Sequence, residues 1–237
     1  MTCHFGVLIP STNTTVEIEY THLLPPEWQA HYARVLSQSH GKSPFSPPLD
    51  ADVEYQSKLL GTARVELIIL VQTSASLFAD DYDDTTIARI EAASEVKAIT
   101  SANAVGAAAR ALGTRNVALV SPYSAEVNAR AQRYFEGKHG LKVAALEGFA
   151  ATDSYMIGHL GPENARDAFR RIDRPEIEAF IVPGGNFPTM QSIPEWEHEF
   201  KKPVITTNQA ALWAMMRALG SKDRLPGLGR LLEVPVG

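Results

Sequence analysis

The 237-residue chain has a single cysteine, Cys3. A lone thiol excludes an internal disulfide framework and a multi-cysteine zinc site, and it points to the reducing cytoplasm. Basic residues are also scarce: the net charge is −5 and Lys and Arg do not cluster. That argues against nucleic acid as a partner, because neutralising a phosphate backbone needs a basic surplus. No apolar run reaches the roughly 18 residues of a membrane span, and residues 1–6 read as the entry to a strand, not a signal peptide. The seven histidines include no pair at metal-ligand spacing on a helix. His159 reads as a loop residue and His198 as part of an exposed helix. Residues 80–84, Asp-Asp-Tyr-Asp-Asp, lack calcium-loop spacing and read as a solvated loop entering a helix. No metal is expected. The Gly227-Leu228-Gly229 stretch is not a dinucleotide fingerprint, since it lies at the chain end without a flanking strand and helix. Cys3 opens the first strand at the end away from the strand-end loops and reads as a passive thiol.

What is present is ordinary globular composition, 45% apolar and 21% charged, arranged in alternation. Strands are expected over 5–9, 31–36, 65–71, 98–100, 117–121, 142–146, 177–182 and 204–206. Helices are expected over 102–112, 126–136, 165–172 and 210–219. Runs such as Leu67-Ile68-Ile69-Leu70-Val71 are apolar throughout, as in parallel strands covered by helices on both faces. The chain also repeats. Phe5–Asn13 matches Asn116–Ser124, Val65–Thr73 matches Ile177–Gly185, and Lys97–Asn103 matches Lys202–Asn208, at offsets of 111, 112 and 105 residues. Arg110-Ala-Leu-Gly113 matches Arg217-Ala-Leu-Gly220 at an offset of 107. These matches predict an α/β fold of two similar four-stranded parallel-sheet halves with helices on both faces, related by a pseudo-twofold, with a ligand cleft between them. The first half spans 1–113 and the second 114–220, with the tail 221–237 packing on the first.

Ligands of open α/β sheets bind beyond the carboxyl ends of the strands. Four polar or glycine-rich segments stand there: Pro10–Asn13, Gln72–Ser74, Ser121–Ser124 and Pro183–Asn186. Thr73 and Ser74 supply hydroxyls and Tyr123 a phenol that donates a hydrogen bond or acts as a weak acid. Gly184 and Gly185 let backbone N–H groups approach a ligand closely. Any one segment alone is as well explained by helix capping; four in repeat-related positions point to a site. A ring of neutral donors suits a carboxylate, and no Lys or Arg in these segments matches the second charge of a phosphate.

At these residues a resemblance becomes specific. Val7–Glu17 and Val117–Tyr123 look like the openings of the two halves of maleate cis–trans isomerases. Gln72–Ser76, Asn128-Ala129-Arg130, Gly184-Gly185, Ile193-Pro194-Glu195 and Arg224–Leu231 resemble arylmalonate decarboxylase. Both groups lie in the aspartate/glutamate racemase superfamily, and the resemblance runs from about residue 4 to 232. It implies chemistry on small carboxylic acids without a cofactor, by decarboxylation, lyase cleavage or isomerisation through an enediolate or enolate. Carried over, Thr73, Ser74, Tyr123 and the Gly185 backbone would be donors to the reacting group, and Asn13 would hold a carboxylate. Gln72, Ser124, Gly184 and Asn186 would line the substrate site. The family's two cysteine positions fall on Gln72 and on Gly184, or on Pro183 with a one-residue slip. Neither amide nor glycine can carry a proton as a thiol does. Three readings follow: a thiol-free enzyme, a carboxylate-binding protein without turnover, or a conventional isomerase that brings Cys3 into the cleft. The sequence leaves open whether the chain forms a homo-oligomer.

Overall fold

The computed structural model describes residues 2–36 and 52–233. The first half runs β1 (Cys3–Pro10), α1 (Val16–Leu23), β2 (Trp28–Val35), α2 (Val53–Thr62), β3 (Ile68–Leu70), α3 (Tyr82–Ser94), β4 (Ala98–Thr100) and α4 (Ser101–Ala111). The second runs β5 (Asn116–Ser121), α5 (Ala125–His139), β6 (Lys142–Gly148), α6 (Ser154–Gly158), α7 (Pro162–Ile172), β7 (Ala179–Val182), α8 (Ile193–Phe200), β8 (Val204–Thr206) and α9 (Thr207–Ala218). A last short helix, α10, covers Arg230–Glu233. Each half holds one four-stranded sheet, ordered β2-β1-β3-β4 and β6-β5-β7-β8, and all pairings are parallel.

The apolar strands explain the layering. Successive side chains in a strand face opposite ways. In the first sheet Leu8, Ile68 and Leu70 pack with Val53, Leu60 and Ile90 of α2 and α3. Phe5, Val7, Ile9, Leu67, Ile69 and Val71 point the other way and join a core shared with the second half. That core is continuous across the junction, where α4 packs along α9.

Both strand orders reverse at the same place. From β1 the chain moves outward to β2, then returns past β1 to β3; β5, β6 and β7 do likewise. Neighbouring loops diverge at such a reversal and open a crevice at the strand ends. The crevices fall after β1 and β3 and after β5 and β7, where the four polar segments stand.

Two expectations are corrected. The described part of the tail bonds to the second half: the Leu228 carbonyl accepts from Gln209 Nε2 of α9 at 2.7 Å, and Arg230 N–H donates to Glu197 of α8 at 2.8 Å. Leu225, Leu228, Leu231 and Leu232 are buried there, so apolar burial decides the side; residues 234–237 lie outside the described residues. The third repeat is also shifted by one. Strand starts 98 and 204 and helix starts 101 and 207 both differ by 106, so Ser101 corresponds to Thr207 and Asn208 has no asparagine counterpart.

Candidate active site

The loop after β1 is shaped by Asn13. Its Oδ1 accepts from the N–H groups of Thr15 and Val16, both at 3.0 Å, which satisfies donors at the start of α1. Arg34, from the end of β2, donates to the Asn13 carbonyl at 2.7 Å and pairs with Glu17. This loop is stitched to the loop after β7. Thr14 N–H donates to Asn186 Oδ1 at 2.7 Å and Thr15 Oγ1 to the Asn186 carbonyl at 2.8 Å. Asn186 Nδ2 donates to the Ser154 carbonyl at 2.6 Å, drawing α6 over the junction.

The loop after β3 meets the second half through hydroxyls. Thr73 Oγ1 lies 3.0 Å from Ser101 Oγ and 3.0 Å from Thr207 Oγ1. Thr207 Oγ1 also accepts from Gly184 N–H at 2.9 Å. Ser74 is half-buried at the start of a 3₁₀ turn, Ala75–Leu77. Gln72 is half-buried, with its Oε1 shielded from solvent and without a partner among the described residues.

Tyr123 is held by its backbone. Its N–H donates to Ser121 Oγ at 3.1 Å and its carbonyl accepts from Asn128 Nδ2 at 3.1 Å. Asn128 in turn accepts from Ser121, so one buried amide ties both ends of the turn. The ring is buried, and that burial pushes the phenol above its ordinary value, so Tyr123 keeps its phenolic proton at neutral pH. Ser124 caps α5, accepting from Val127 N–H at 3.4 Å.

The glycines sit where side chains would not fit. Gly184 has φ +118°, and a β-carbon there would lie 2.9 Å from Pro122 Cγ and 3.6 Å from Tyr123 Oη. A β-carbon on Gly185 would lie 2.8 Å from Val71 Cγ1. Val71 directly follows β3, so contact between the halves leaves no room for a side chain at the second glycine.

Asn13, Thr73, Tyr123, Gly184, Gly185 and Asn186 thus belong to four loops that meet at one junction. The capping role accounts for the Asn13 and Ser124 oxygens, and the Asn186 amide is engaged in holding the halves together. Cys3 is at the opposite end of β1, and burial together with the Glu66 carboxylate pushes its thiol up to about 11. His159 is exposed against Tyr155, and His198 is exposed on α8. No group of three or more His, Cys, Asp or Glu side chains suited to a metal occurs among the described residues. No helix among them is long and apolar enough to cross a membrane.

Several residues carry more of this junction than sequence reasoning assigned them. Glu19 of α1 is buried and accepts from the N–H groups of Thr189 and Met190 at 2.6 and 2.8 Å and from Asn208 Nδ2 at 2.6 Å. Burial raises its carboxyl above the ordinary range against those three donors. Asp83 corrects the reading of residues 80–84 as solvated. It is buried and accepts from Ser76, Thr100, Tyr134 and Lys138 at 2.7, 2.7, 2.5 and 2.8 Å. Composition hides it, because its partners come from three separate segments, and the farthest, α5, lies more than 50 residues away. Ser101 and Thr207 were detectable as hydroxyls in matching places of the repeat, had the register been set by the strand ends.

Comparison with known proteins agrees with this architecture. The maleate isomerase of Alcaligenes faecalis is 23% identical over 246 residues, covering 98% of this chain and 97% of its own. A crystal structure of the maleate isomerase from Pseudomonas putida S16 with maleate has a TM-score of 0.89 at 24% identity, covering 98% of both chains. A Nocardia farcinica maleate cis–trans isomerase, a cysteine-to-serine mutant with a covalently bound succinylcysteine intermediate, also has a TM-score of 0.89 at 24% identity, covering 98% of this chain and 99% of its own. The model of the arylmalonate decarboxylase family matches residues 5–232, nearly the whole length, and the chain belongs to that family.

Proposed function

We propose that this chain is an enzyme for a small carboxylic acid, which it binds at the loop junction and converts through an enediolate or enolate without a cysteine. The reading rests on one observation: a buried threonine hydroxyl, a buried neutral phenol and a two-glycine backbone turn meet where the two sheets reverse. Relatives named for maleate and arylmalonate make a small dicarboxylate the substrate class to test first.

The chemistry follows from the donors. When a carboxylate leaves as CO₂, a proton leaves a saturated carbon beside a carboxylate, or hydroxide from water adds to a double bond conjugated with one, the electron pair moves onto the remaining carboxyl oxygens. In the last case rotation about the new single bond and expulsion of the same hydroxide would turn maleate into fumarate. Donors already aimed at those oxygens stabilise the product more than the substrate, and one such donor contributes about 3–4 kcal/mol. Thr73 and Tyr123 would serve, with Ser74 and the Gly185 backbone beside them. The proton that completes the reaction would come from water, since the resemblance puts Gln72 and Gly184, or Pro183 with a one-residue slip, at the family's cysteine positions and none of these titrates. Loss of a positioned acid costs about 10²- to 10⁴-fold, so slow turnover is expected.

Incubation with maleate and phenylmalonate in D₂O, followed by proton NMR, tests this. Fumarate, phenylacetate or deuterium at the carbon beside the carboxylate supports the proposal. Binding with unchanged spectra over days instead supports a carboxylate-binding protein without turnover. Absence of both binding and conversion refutes the carboxylate reading.

A further inference from the structure

We infer that Ser101 and Thr207, the first residues of α4 and α9, are positioning residues that fix Thr73 as a hydrogen-bond donor toward the cleft. The inference rests on the carboxylate reading above and adds a specificity to it: the group bound at Thr73 must be an acceptor.

Ser101, Thr73 and Thr207 carry three hydroxyl protons, and two O···O contacts of 3.0 Å join them in a line with Thr73 at the centre. Two contacts use two protons, so one proton has no acceptor within the triad whichever way the hydroxyls turn. Thr207 Oγ1 already accepts from Gly184 N–H, so its own proton is free to go to Thr73. Ser101 is 0% exposed and Thr207 1%. A proton left over on either would be stranded inside the α4–α9 junction, and an unsatisfied buried donor is costly. Thr73, itself 1% exposed, differs in its place: it stands between the half-buried Gln72 and Ser74 on a strand-end loop, where ligands of such sheets bind. The arrangement that strands nothing once a ligand is bound has Ser101 and Thr207 both donating to Thr73, and Thr73 donating to the ligand.

Two further features act in the same direction. Accepting two hydrogen bonds polarises the Thr73 O–H and strengthens it as a donor. α4 and α9, helices of 11 and 12 residues, begin with Ser101 and Thr207, whose hydroxyls contact this oxygen, and helix N-termini favour negative charge. Carboxylate oxygen fits such a donor; an amide NH₂ does not.

Calorimetric binding of maleate and of its monoamide at pH 7 tests the inference in wild type and in Ser101→Ala, Thr207→Val and Thr207→Ser. Wild type should prefer the diacid. Ser101→Ala and Thr207→Val should each weaken diacid binding and narrow the diacid-to-monoamide ratio about fivefold, the value of one hydrogen bond of about 1 kcal/mol. Thr207→Ser, which keeps the hydroxyl, should restore the ratio. A purely structural role would weaken both ligands alike and leave the ratio unchanged; that result in Ser101→Ala overturns the inference even if Thr207→Val fails to fold. Wild type that binds neither ligand overturns the carboxylate reading itself.

Discussion

Removal of the Asp83 carboxylate should cost the protein a large part of its stability. The side chain is 1% exposed. It gathers four donors: two hydroxyls from the first half, and the Tyr134 phenol and Lys138 ammonium from α5 of the second. Its carboxyl is held below the ordinary value of 3.8, because hydrogen bonds from Lys138, Tyr134, Ser76 and Thr100 together outweigh the desolvation that opposes them. Asp83→Ala leaves an ammonium and a phenol facing a void at the seam between the halves. Breaking a buried charge cluster from one side costs about 3–5 kcal/mol. Asp83→Asn keeps the shape but loses the charge-assisted bonds, a cost of about 1.5–3 kcal/mol. With a urea slope of about 2–3 kcal/mol/M, the alanine variant should unfold roughly 1–2 M earlier. The pH dependence supplies an internal check. A carboxyl depressed on folding contributes stability that is complete above its unfolded value and fades as pH falls through its folded one. The gap between wild type and Asp83→Asn should therefore hold from pH 7 down to the ordinary value near 3.8 and narrow below it. A loss under about 1 kcal/mol at pH 7, where surface substitutions lie, or a gap that does not narrow in acid, would refute the reasoning.

The backbone at Gly184 gives a second expectation. With φ +118° and Pro122 Cγ 2.9 Å from a built β-carbon, Gly184→Ala should lower stability by about 1–3 kcal/mol in a urea titration; an unchanged midpoint would show that the turn relaxes freely. For Cys3, a thiol pushed up to about 11 is ionised in roughly one molecule in a thousand at pH 8. Folded protein should react slowly with a disulfide reagent, unfolded protein quickly, and Cys3→Ala should bind ligand as wild type does. Rapid labelling of the folded chain that also abolishes binding would return Cys3 to the cleft.

Much of the fold was legible because parallel α/β chains write their layers into short apolar runs. All eight expected strands correspond to observed ones, and 98–100 and 204–206 coincide residue for residue with β4 and β8. The expected strand over 65–71 contracts to Ile68–Leu70, since Val65 and Leu67 are buried before ladder pairing begins. The site was legible as a set of loops, because polar residues after buried strands are conspicuous. What each side chain does there was not. Asn13 and Ser124 look the same in sequence whether they cap a helix or hold a ligand, and hydrogen-bond geometry separates the two. Glu19 lies on a short helix among other polar residues, and nothing local marks its contacts some 170 residues away.

Local order and local apolarity, then, are enough to establish the βα alternation, the duplicated halves and the family, because burial of strands and repetition leave traces along the chain itself. Which half receives the tail, how the third repeat registers, that Asp83 is a buried hub, and that Thr73 lies between two helix N-termini were decided only by the fold. Those facts depend on distances between residues far apart in sequence, and a hydrogen bond is formed by proximity in space, of which residue order carries no direct record.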